Sequence, residues 1–167
     1  MRHSAIIFLP LVAMLLFSCT AKPRIRLPED YPDVFTKGGR LEGFALDPTK
    51  NKFILYVSAG AIKGCLSELW IAKIDSIMSA SPDWQFITIL HDSLADTTKV
   101  IEMLDRFQMS SPVAFDPEDE FISINGMEHK WGELSYFINR KNQMQGMWLV
   151  GDGTFEKQFN QIKQSIR

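Results

Sequence analysis

Cys65 is the residue of this sequence that is best placed to carry chemistry. The apolar run 53–58 predicts a buried strand, residues 59–64 a loop, and the residues from 65 onward an amphipathic helix that begins at the cysteine. The unpaired amides and the dipole of a helix N-terminus stabilise a thiolate. The sequence therefore places Cys65 where a thiol can become a nucleophile.

Other ionisable side chains are expected at the same edge of the predicted sheet. His91 and Asp92 follow the second predicted strand, and Lys63 belongs to the loop before Cys65. Glu133 precedes a late antiparallel strand that runs away from this edge. Because sites in parallel sheets gather beyond the C-terminal ends of the strands, these groups would share one rim. Lys63 would favour the thiolate and Glu133 would oppose it.

Two interpretations of Cys65 stay open. A Cys65/His91 pair would suit nucleophilic catalysis, although no spacing in the sequence fixes their distance. A half-buried, inert thiol beside a solvated histidine is the alternative, because free cysteines are often buried.

Neither His91 nor His129 has a ligand partner at a recognisable metal spacing. The sequence therefore predicts no cofactor and no metal ion.

The first eighteen residues have the features of an export signal. Arg2 precedes the apolar run 5–17, which is too short to span a bilayer comfortably. The ending Leu-Phe-Ser-Cys, residues 16–19, resembles a bacterial lipoprotein signal, in which the cysteine is lipidated and the chain is cleaved ahead of it. The alternatives are an ordinary secretory signal or an uncleaved anchor, with Cys19 incidental. All three place the rest of the chain outside the cytoplasm.

Lipidation of Cys19 would change the cysteine chemistry of the chain. The sequence has two cysteines, so Cys65 would be the only free thiol and no disulfide could form within the chain. The net charge of −2 gives no indication of a nucleic-acid surface.

The residues after the lipidation site are predicted to be a flexible tether. With Cys19, the tether covers residues 19–39, which contain three prolines and a pair of glycines and show little apolar periodicity. Lys22, Arg24 and Arg26 would lie close to the lipid and could contact anionic head groups.

Residues 40–167 are predicted to form one domain with alternating strands and helices, which is typical of an α/β layered fold. The predicted strands cover 41–46, 53–58, 84–90 and 113–115, with a hairpin over 134–139 and 143–150. The predicted helices cover 65–80, a segment capped by Asp96 or Thr97, 117–125, and a last segment capped by Thr154.

In this order the segments resemble the thioredoxin-like superfamily, specifically its extracytoplasmic, membrane-tethered thiol-disulfide oxidoreductases. Residues 53–69 are similar to the strand, loop and helix of the active site, residues 111–118 to an inserted strand and turn, and residues 134–144 to the late strand and hairpin. The resemblance implies a three-layer α/β/α sandwich with a central mixed sheet and a helix-strand insertion.

The redox motif of that family is incomplete here. Its Cys-x-x-Cys pair corresponds to Ile62-Lys63-Gly64-Cys65, so the nucleophilic cysteine falls at Ile62 and the dithiol cycle cannot close within the chain. The family's cis-proline falls at Glu133, or at Leu134 if the alignment shifts by one. A cis bond before a non-proline residue would cost about 3 kcal/mol, so we expect a trans peptide there.

Peroxiredoxins, which are cousins of this family, keep only the second cysteine position. Residues 65–69 resemble the stretch after their peroxide-attacking cysteine. Their supporting groups are absent, because Ser58 stands where the loop proline would be, Ile62 where the threonine would be, and Glu133 near the place of the activating arginine. A peroxidatic thiolate needs hydrogen-bond donors aimed at the peroxide oxygens.

The sequence therefore predicts a lipid-anchored, extracytoplasmic thioredoxin-fold protein that lacks dithiol-disulfide oxidoreductase activity and acts as a binding or accessory module. Its partners would be membrane lipid through Cys19 and an extracytoplasmic protein or a thiol reductant. The alternative is a single-cysteine thiol peroxidase or thiol-exchange enzyme that uses Cys65.

Overall fold

The computed structural model describes residues 22, 24–27, 33–58, 65–91, 96–127, 134–149 and 154–166. For residues 65–69, 99, 103 and 149 the backbone is described but the side chain is not. These ranges contain the strands β1 (Val34–Thr36), β2 (Gly39–Leu41), β3 (Asn51–Ser58), β4 (Trp84–His91), β5 (Val113–Asp116), β6 (Leu134–Ile138) and β7 (Met144–Leu149), and the helices α1 (Cys65–Ser79), α2 (Thr97–Arg106), α3 (Glu120–Ile124) and α4 (Phe155–Ser165).

The seven described strands form one mixed sheet in the order β2-β1-β5-β4-β3-β6-β7. β3, β4 and β5 are parallel, β1 and β6 flank them in the antiparallel direction, and β6 and β7 form an antiparallel hairpin. Residues 53–57 are all buried, as an apolar run covered on both faces requires. The predicted parallel strands and late hairpin are confirmed, and α2 with β5 forms the predicted insertion between β4 and α3.

Helices cover the two faces of the sheet unequally. On one face, α1, α2 and α4 bury an apolar cluster that includes Leu55 and Leu90. On the opposite face, the short helix α3 and Ile25 of the N-terminal segment bury a second cluster that includes Tyr56. Neighbouring residues of one strand belong to different clusters because side chains alternate between the faces of a sheet. The result is the predicted three-layer sandwich.

The folded part of the chain begins before residue 40, where the sequence placed its boundary. Val34–Thr36 is β1, which pairs with β5 in the central sheet. Ile25 is only 3% exposed, and Arg24 forms an antiparallel bridge beside the edge strand β7. The prediction of a flexible tether over 19–39 is therefore wrong for the described residues of this segment. A few isolated apolar side chains, Ile25, Leu27 and Val34, hold these described residues in place, and they produce no periodic pattern.

The predicted edge strand over 41–46 is also wrong. The strand in this region is β2, Gly39–Leu41, and residues 42–50 lie outside strands and helices. Gly39 has a φ of 104°, which glycine adopts without steric cost. The paired glycines belong to the β1–β2 hairpin, whereas the sequence assigned them to the tether.

The helix boundaries follow local signals in the sequence. α1 ends at Ser79, shortly before Pro82, which stops the helix as predicted. α4 begins after Thr154, but the Thr154 hydroxyl accepts a hydrogen bond from the Gln158 side chain at 2.9 Å rather than capping a backbone amide. Among the described residues, no helix combines the length and the apolar character needed to cross a membrane.

A buried carboxylate joins α1 to the loop that leads into β5. Asp75 accepts hydrogen bonds from the backbone amides of Ser110 at 2.9 Å and Ser111 at 3.0 Å. The hydroxyls of the same two serines also donate to it. Four donors compensate the cost of burying the carboxylate. The contact fixes the start of β5 against the C-terminal half of α1.

Lys52, near the start of β3, is a buried cation. It is 1% exposed, and its ammonium donates to the carbonyl oxygen of Lys50 at 3.1 Å and to Asn142 Oδ1 at 3.3 Å. Burial lowers the pKa of Lys52, and the carboxylate of Asp47 partly opposes this shift. Both acceptors are neutral, so the ammonium is held by oxygen dipoles.

Candidate functional site

The C-terminal ends of the three parallel strands meet at one edge of the sheet. Ser58, the last residue of β3, is in register with His91, the last residue of β4. His91 is in register with Asp116, the last residue of β5. The backbone of α1 begins at Cys65, seven positions along the chain from the end of β3. The edge is therefore the one at which the sequence places its candidate residues, and His91 lies there as predicted.

His91 belongs to a compact polar cluster with Tyr56 and Asp119. Its ring stacks on the ring of Tyr56, with centroids 4.0 Å apart and planes 10° from parallel. Its Nδ1 lies 3.0 Å from Asp119 Oδ1, and the Tyr56 hydroxyl donates to the same oxygen at 2.7 Å. His91 and Tyr56 are buried, whereas the Asp119 side chain is 37% exposed. One partly exposed carboxylate thus holds two buried rings.

The loop between β5 and α3 brings Asp119 into this cluster. The Asp116 carboxylate accepts from the backbone amides of Glu120 at 2.8 Å and Phe121 at 3.0 Å, which starts α3 close to the end of β5. Asp119 precedes α3 and has a φ of 53° in the left-handed region, which aspartate tolerates better than most residues. This conformation places its carboxylate beside the strand ends.

The electrostatics of the cluster keep the tyrosine neutral. Burial raises the pKa of Tyr56 above its usual range, and the hydrogen bond to Asp119 and the nearby Asp116 carboxylate raise it further. The phenol is therefore a permanent donor at physiological pH. If the neutral imidazole of His91 donates from Nδ1 to Asp119, its basic lone pair is on Nε2. A carboxylate that orients an imidazole in this way is an arrangement suited to proton transfer.

The cluster and α1 lie on different faces of the sheet. Leu90 belongs to the apolar cluster under α1, so the next residue, His91, faces the side of α3, where it stacks on Tyr56. The structure thus brings His91 together with Tyr56 and Asp119. The side chain of Cys65 lies outside the described residues, so the predicted Cys65/His91 pair stays a prediction.

Most of the other predicted site residues also lie outside the described residues. Lys63 and Glu133, the predicted neighbours of Cys65, are among them, as are Ile62 and the predicted lipidation site Cys19. The expectation of a trans peptide before Glu133 or Leu134 therefore remains untested.

Sequence reasoning missed Tyr56 and Asp119. One signal was available for Tyr56, because a tyrosine hydroxyl inside a buried apolar run needs a hydrogen-bond partner. No spacing could identify Asp119 as that partner, since 63 residues separate the two in the chain. The sheet order, with β5 beside β4, brings them together.

The described residues offer no site for a metal ion. Within these ranges no group of three or more histidine, cysteine, aspartate or glutamate side chains lies close enough together to bind one. The cluster around His91 supplies one imidazole and one carboxylate, which is fewer than the three protein ligands that a catalytic zinc site requires.

Comparison with known proteins identifies the fold. No family model and no curated protein matches the chain. Among solved structures, a thioredoxin-like protein in its oxidised form matches with a TM-score of 0.66 at 13% identity, covering 88% of this chain and 98% of its own. A secreted disulfide oxidoreductase of Mycobacterium tuberculosis matches with a TM-score of 0.57 at 12% identity, covering 79% and 94%.

A peroxiredoxin-like protein from Aquifex aeolicus is also similar in structure over most of the chain. It matches with a TM-score of 0.59 at 15% identity, covering 86% of each chain. At these identities the similarity shows the fold alone. The chain has a thioredoxin-like fold, as the order of its predicted elements indicated.

Proposed function

We propose that this thioredoxin-fold chain is a lipid-anchored protein of the bacterial cell envelope that lacks dithiol-disulfide oxidoreductase activity and acts as a binding or accessory module. One observation carries the proposal: Ile62 stands where the redox motif of the fold has its nucleophilic cysteine. Cys65 keeps the second position at the start of α1.

The chemistry of disulfide exchange requires the residue that is missing. A thiolate attacks a substrate disulfide and forms a mixed disulfide, and a second thiol then attacks that bond and releases the reduced substrate. Ile62 has no atom that can take either role. Because the sequence has only one other cysteine, Cys19, which the proposal assigns to the lipid, Cys65 has no resolving thiol in the chain.

The rest of the scaffold supports a binding role. The described strands and helices enclose two apolar clusters, one on each face of the sheet. A chain that loses its redox pair and keeps such a core retains a stable surface on which a partner can dock. The partner would be an extracytoplasmic protein or a thiol reductant.

The envelope location rests on residues 1–19. The short apolar run and the Leu-Phe-Ser-Cys ending favour export and lipidation of Cys19. Incorporation of labelled fatty acid into the full chain tests this part. We expect incorporation in the native chain and none in Cys19→Ser, and an unlabelled native chain would refute the anchor.

Insulin reduction tests the loss of oxidoreductase activity. We expect turnover at the background rate for the native chain and for Cys65→Ser. Ile62→Cys restores the Cys-x-x-Cys spacing and should raise the rate above both. Robust native turnover that Cys65→Ser abolishes would refute the proposal, because it would show that one cysteine sustains the cycle.

A single-cysteine thiol peroxidase or exchange enzyme is the second candidate. The observation in its favour is that Cys65 is the first residue of a 15-residue helix, whose N-terminal amides favour a thiolate. The thiolate would attack a peroxide, release water or an alcohol, and become a sulfenic acid that an external thiol reduces.

Alkylation and sulfenic-acid trapping separate the two candidates. The enzyme requires a rate of Cys65 alkylation that is already high at neutral pH, and a trapped sulfenic acid after one equivalent of peroxide. A thiol that reacts only at alkaline pH and traps no sulfenic acid would remove this candidate.

A further inference from the structure

A cleft opens at the end of the sheet opposite to His91. It has a volume of about 520 Å³ and lies between the β6–β7 turn and the end of α4. Among the described residues that line it, three are cations, Arg140, Lys141 and Lys163, and Asp83 is the only acid. The remaining lining side chains are mostly amides and hydroxyls, so the cleft suits a charged, hydrated surface rather than an apolar ligand.

The ordered N-terminal segment adds two cations to the rim of this cleft. The Lys22 ammonium donates to Gln145 Oε1 at 2.5 Å, and the backbone of Arg24 pairs with that of Gln143 in an isolated antiparallel β-bridge, which places the exposed Arg24 beside Gln143. Both glutamines line the cleft. We call Lys22, Arg24, Arg140, Lys141 and Lys163 the basic corner.

The basic corner is not neutralised by its neighbours among the described residues. Its single carboxylate, Asp83, lies 3.7 Å from Arg140, and both side chains are more than half exposed, so the pair is weak and screened. In the part of the corner that the structure describes, five cations therefore gather around one acid, although the whole chain has a net charge of −2. This segregation of charge favours an anionic partner.

The course of the chain places a membrane beside this corner. Lys22 follows Cys19 by three residues, and three fully extended residues span at most about 11 Å. A lipid on Cys19 would therefore hold Lys22, at the rim of the basic corner, within about 11 Å of the head groups, which is little more than the Debye length of about 8 Å at physiological salt. This step rests on the lipidation of Cys19 in the proposed function.

We propose that the basic corner lies against anionic lipid head groups and orients the domain on the membrane, with the His91 edge of the sheet directed away. The amide of Arg140 donates to Asn51 Oδ1 at the start of β3, whereas Ser58 at its end is in register with His91. At about 3.3 Å per residue, the eight-residue strand separates the two ends by roughly 23 Å. The edge at which α1 begins thus remains accessible to partners.

Energy transfer from the protein to labelled head groups tests the orientation. The full lipidated chain, with Cys65→Ser to leave no other reactive thiol, carries a donor dye either at Gln164→Cys beside the corner or at Glu118→Cys beside the His91 edge. We expect stronger transfer from position 164 in phosphatidylglycerol-rich vesicles. In pure phosphatidylcholine the difference between the positions should shrink.

Charge reversal with a matched control tests whether the cations of the basic corner cause this orientation. Lys141→Glu with Lys163→Glu should reduce the excess transfer from position 164, since each cation near an anionic surface shifts the equilibrium by roughly fivefold. Lys37→Glu with Arg106→Glu changes the net charge equally but lies beside β1, toward the opposite edge of the sheet from β7, and should have a much smaller effect. The pairs are comparable, because Lys37 and Lys141 lie in hairpin turns and Arg106 and Lys163 each contact a phenylalanine ring.

The outcomes separate this inference from the function on which it rests. A chain that does not partition into vesicles refutes the lipid anchor, and the orientation with it. A chain that partitions but gives equal transfer from both positions overturns the orientation alone. Transfer that is independent of head-group charge also overturns it.

Discussion

The two ends of β3 bury polar side chains on the same face of the sheet by different means. At the first end, Lys52 is held by two neutral oxygens. At the last, Tyr56 donates to the carboxylate of Asp119 and stacks on His91. Burial lowers the pKa of Lys52 and raises that of Tyr56, so both shift toward the neutral form. One end suppresses charge, and the other keeps a partly exposed carboxylate beside a neutral phenol.

The two ends should therefore respond to alkaline pH with opposite signs. Lys52 binds its proton less tightly in the folded state than in the unfolded state. The free-energy cost of burying the charged ammonium is therefore relieved, and the stability rises, as the pH increases toward the unfolded pKa of about 10.4. Tyr56 binds its proton more tightly in the folded state. Its contribution is complete below the unfolded pKa of about 10 and is lost as the pH rises above that value.

Removal of the carboxylate should have the largest effect. Asp119→Ala deletes the acceptor shared by Tyr56 and His91 and forces alanine into a left-handed backbone, for a combined loss of about 3 kcal/mol in the free energy of unfolding. Denaturant titration measures it.

Two controls separate the causes of that loss. Asp119→Asn keeps an oxygen acceptor and tolerates the backbone conformation, so it should cost only about 1 kcal/mol. Glu118→Ala, at the exposed neighbour, should stay within about 0.5 kcal/mol. Equal losses for Ala and Asn would show that the negative charge, rather than the acceptor and the backbone, stabilises this end.

Tyr56→Phe should have an intermediate effect. It keeps the ring stacked on His91 and removes the hydroxyl donor, which should cost about 1 kcal/mol at pH 7. Above pH 10 the variant should lose stability less steeply than the native chain. Burial raises the pKa of Tyr136 to about 12, so in the variant this second tyrosine still contributes a loss of stability between pH 10 and 12. Parallel stability curves for variant and native chain would contradict the assignment of Tyr56.

Lys52→Met should have the smallest effect at pH 7. Methionine fills a similar volume, and the two lost hydrogen bonds are offset by the removal of a poorly solvated cation, so we expect a change within about 1 kcal/mol. The native chain should gain stability relative to the variant as the pH rises from neutral toward 10.4. A loss of several kcal/mol at pH 7 would mean that the ammonium itself stabilises this end.

Local sequence patterns predicted those strands and helices whose structure depends on a single short stretch of the chain. The apolar run 53–57, the stop at Pro82 and the hairpin 134–149 placed β3, α1 and the β6–β7 pair correctly. The N-terminal strands were missed because β1 has three residues and is stabilised by pairing with β5, which is distant in the chain. Ile25 is likewise buried by contacts that no local pattern reveals.

The candidate site was predictable only in its location. The rule that sites lie beyond the C-terminal ends of parallel strands placed His91 at the correct edge. Its partners could not be deduced, because Tyr56, His91 and Asp119 come from three separate elements and their contacts depend on strand order and on the left-handed turn before α3.

The hydrogen bonds of Asp75 determine where the chain can accept added sequence. An epitope tag inserted between Ser110 and Ser111 would separate donors that share one carboxylate, and β5 would lose its starting point. The turn between β1 and β2 has no such constraint, since β2 is exposed along its whole length. A tag placed after Lys37 would therefore mark the protein in cells and leave the sheet intact.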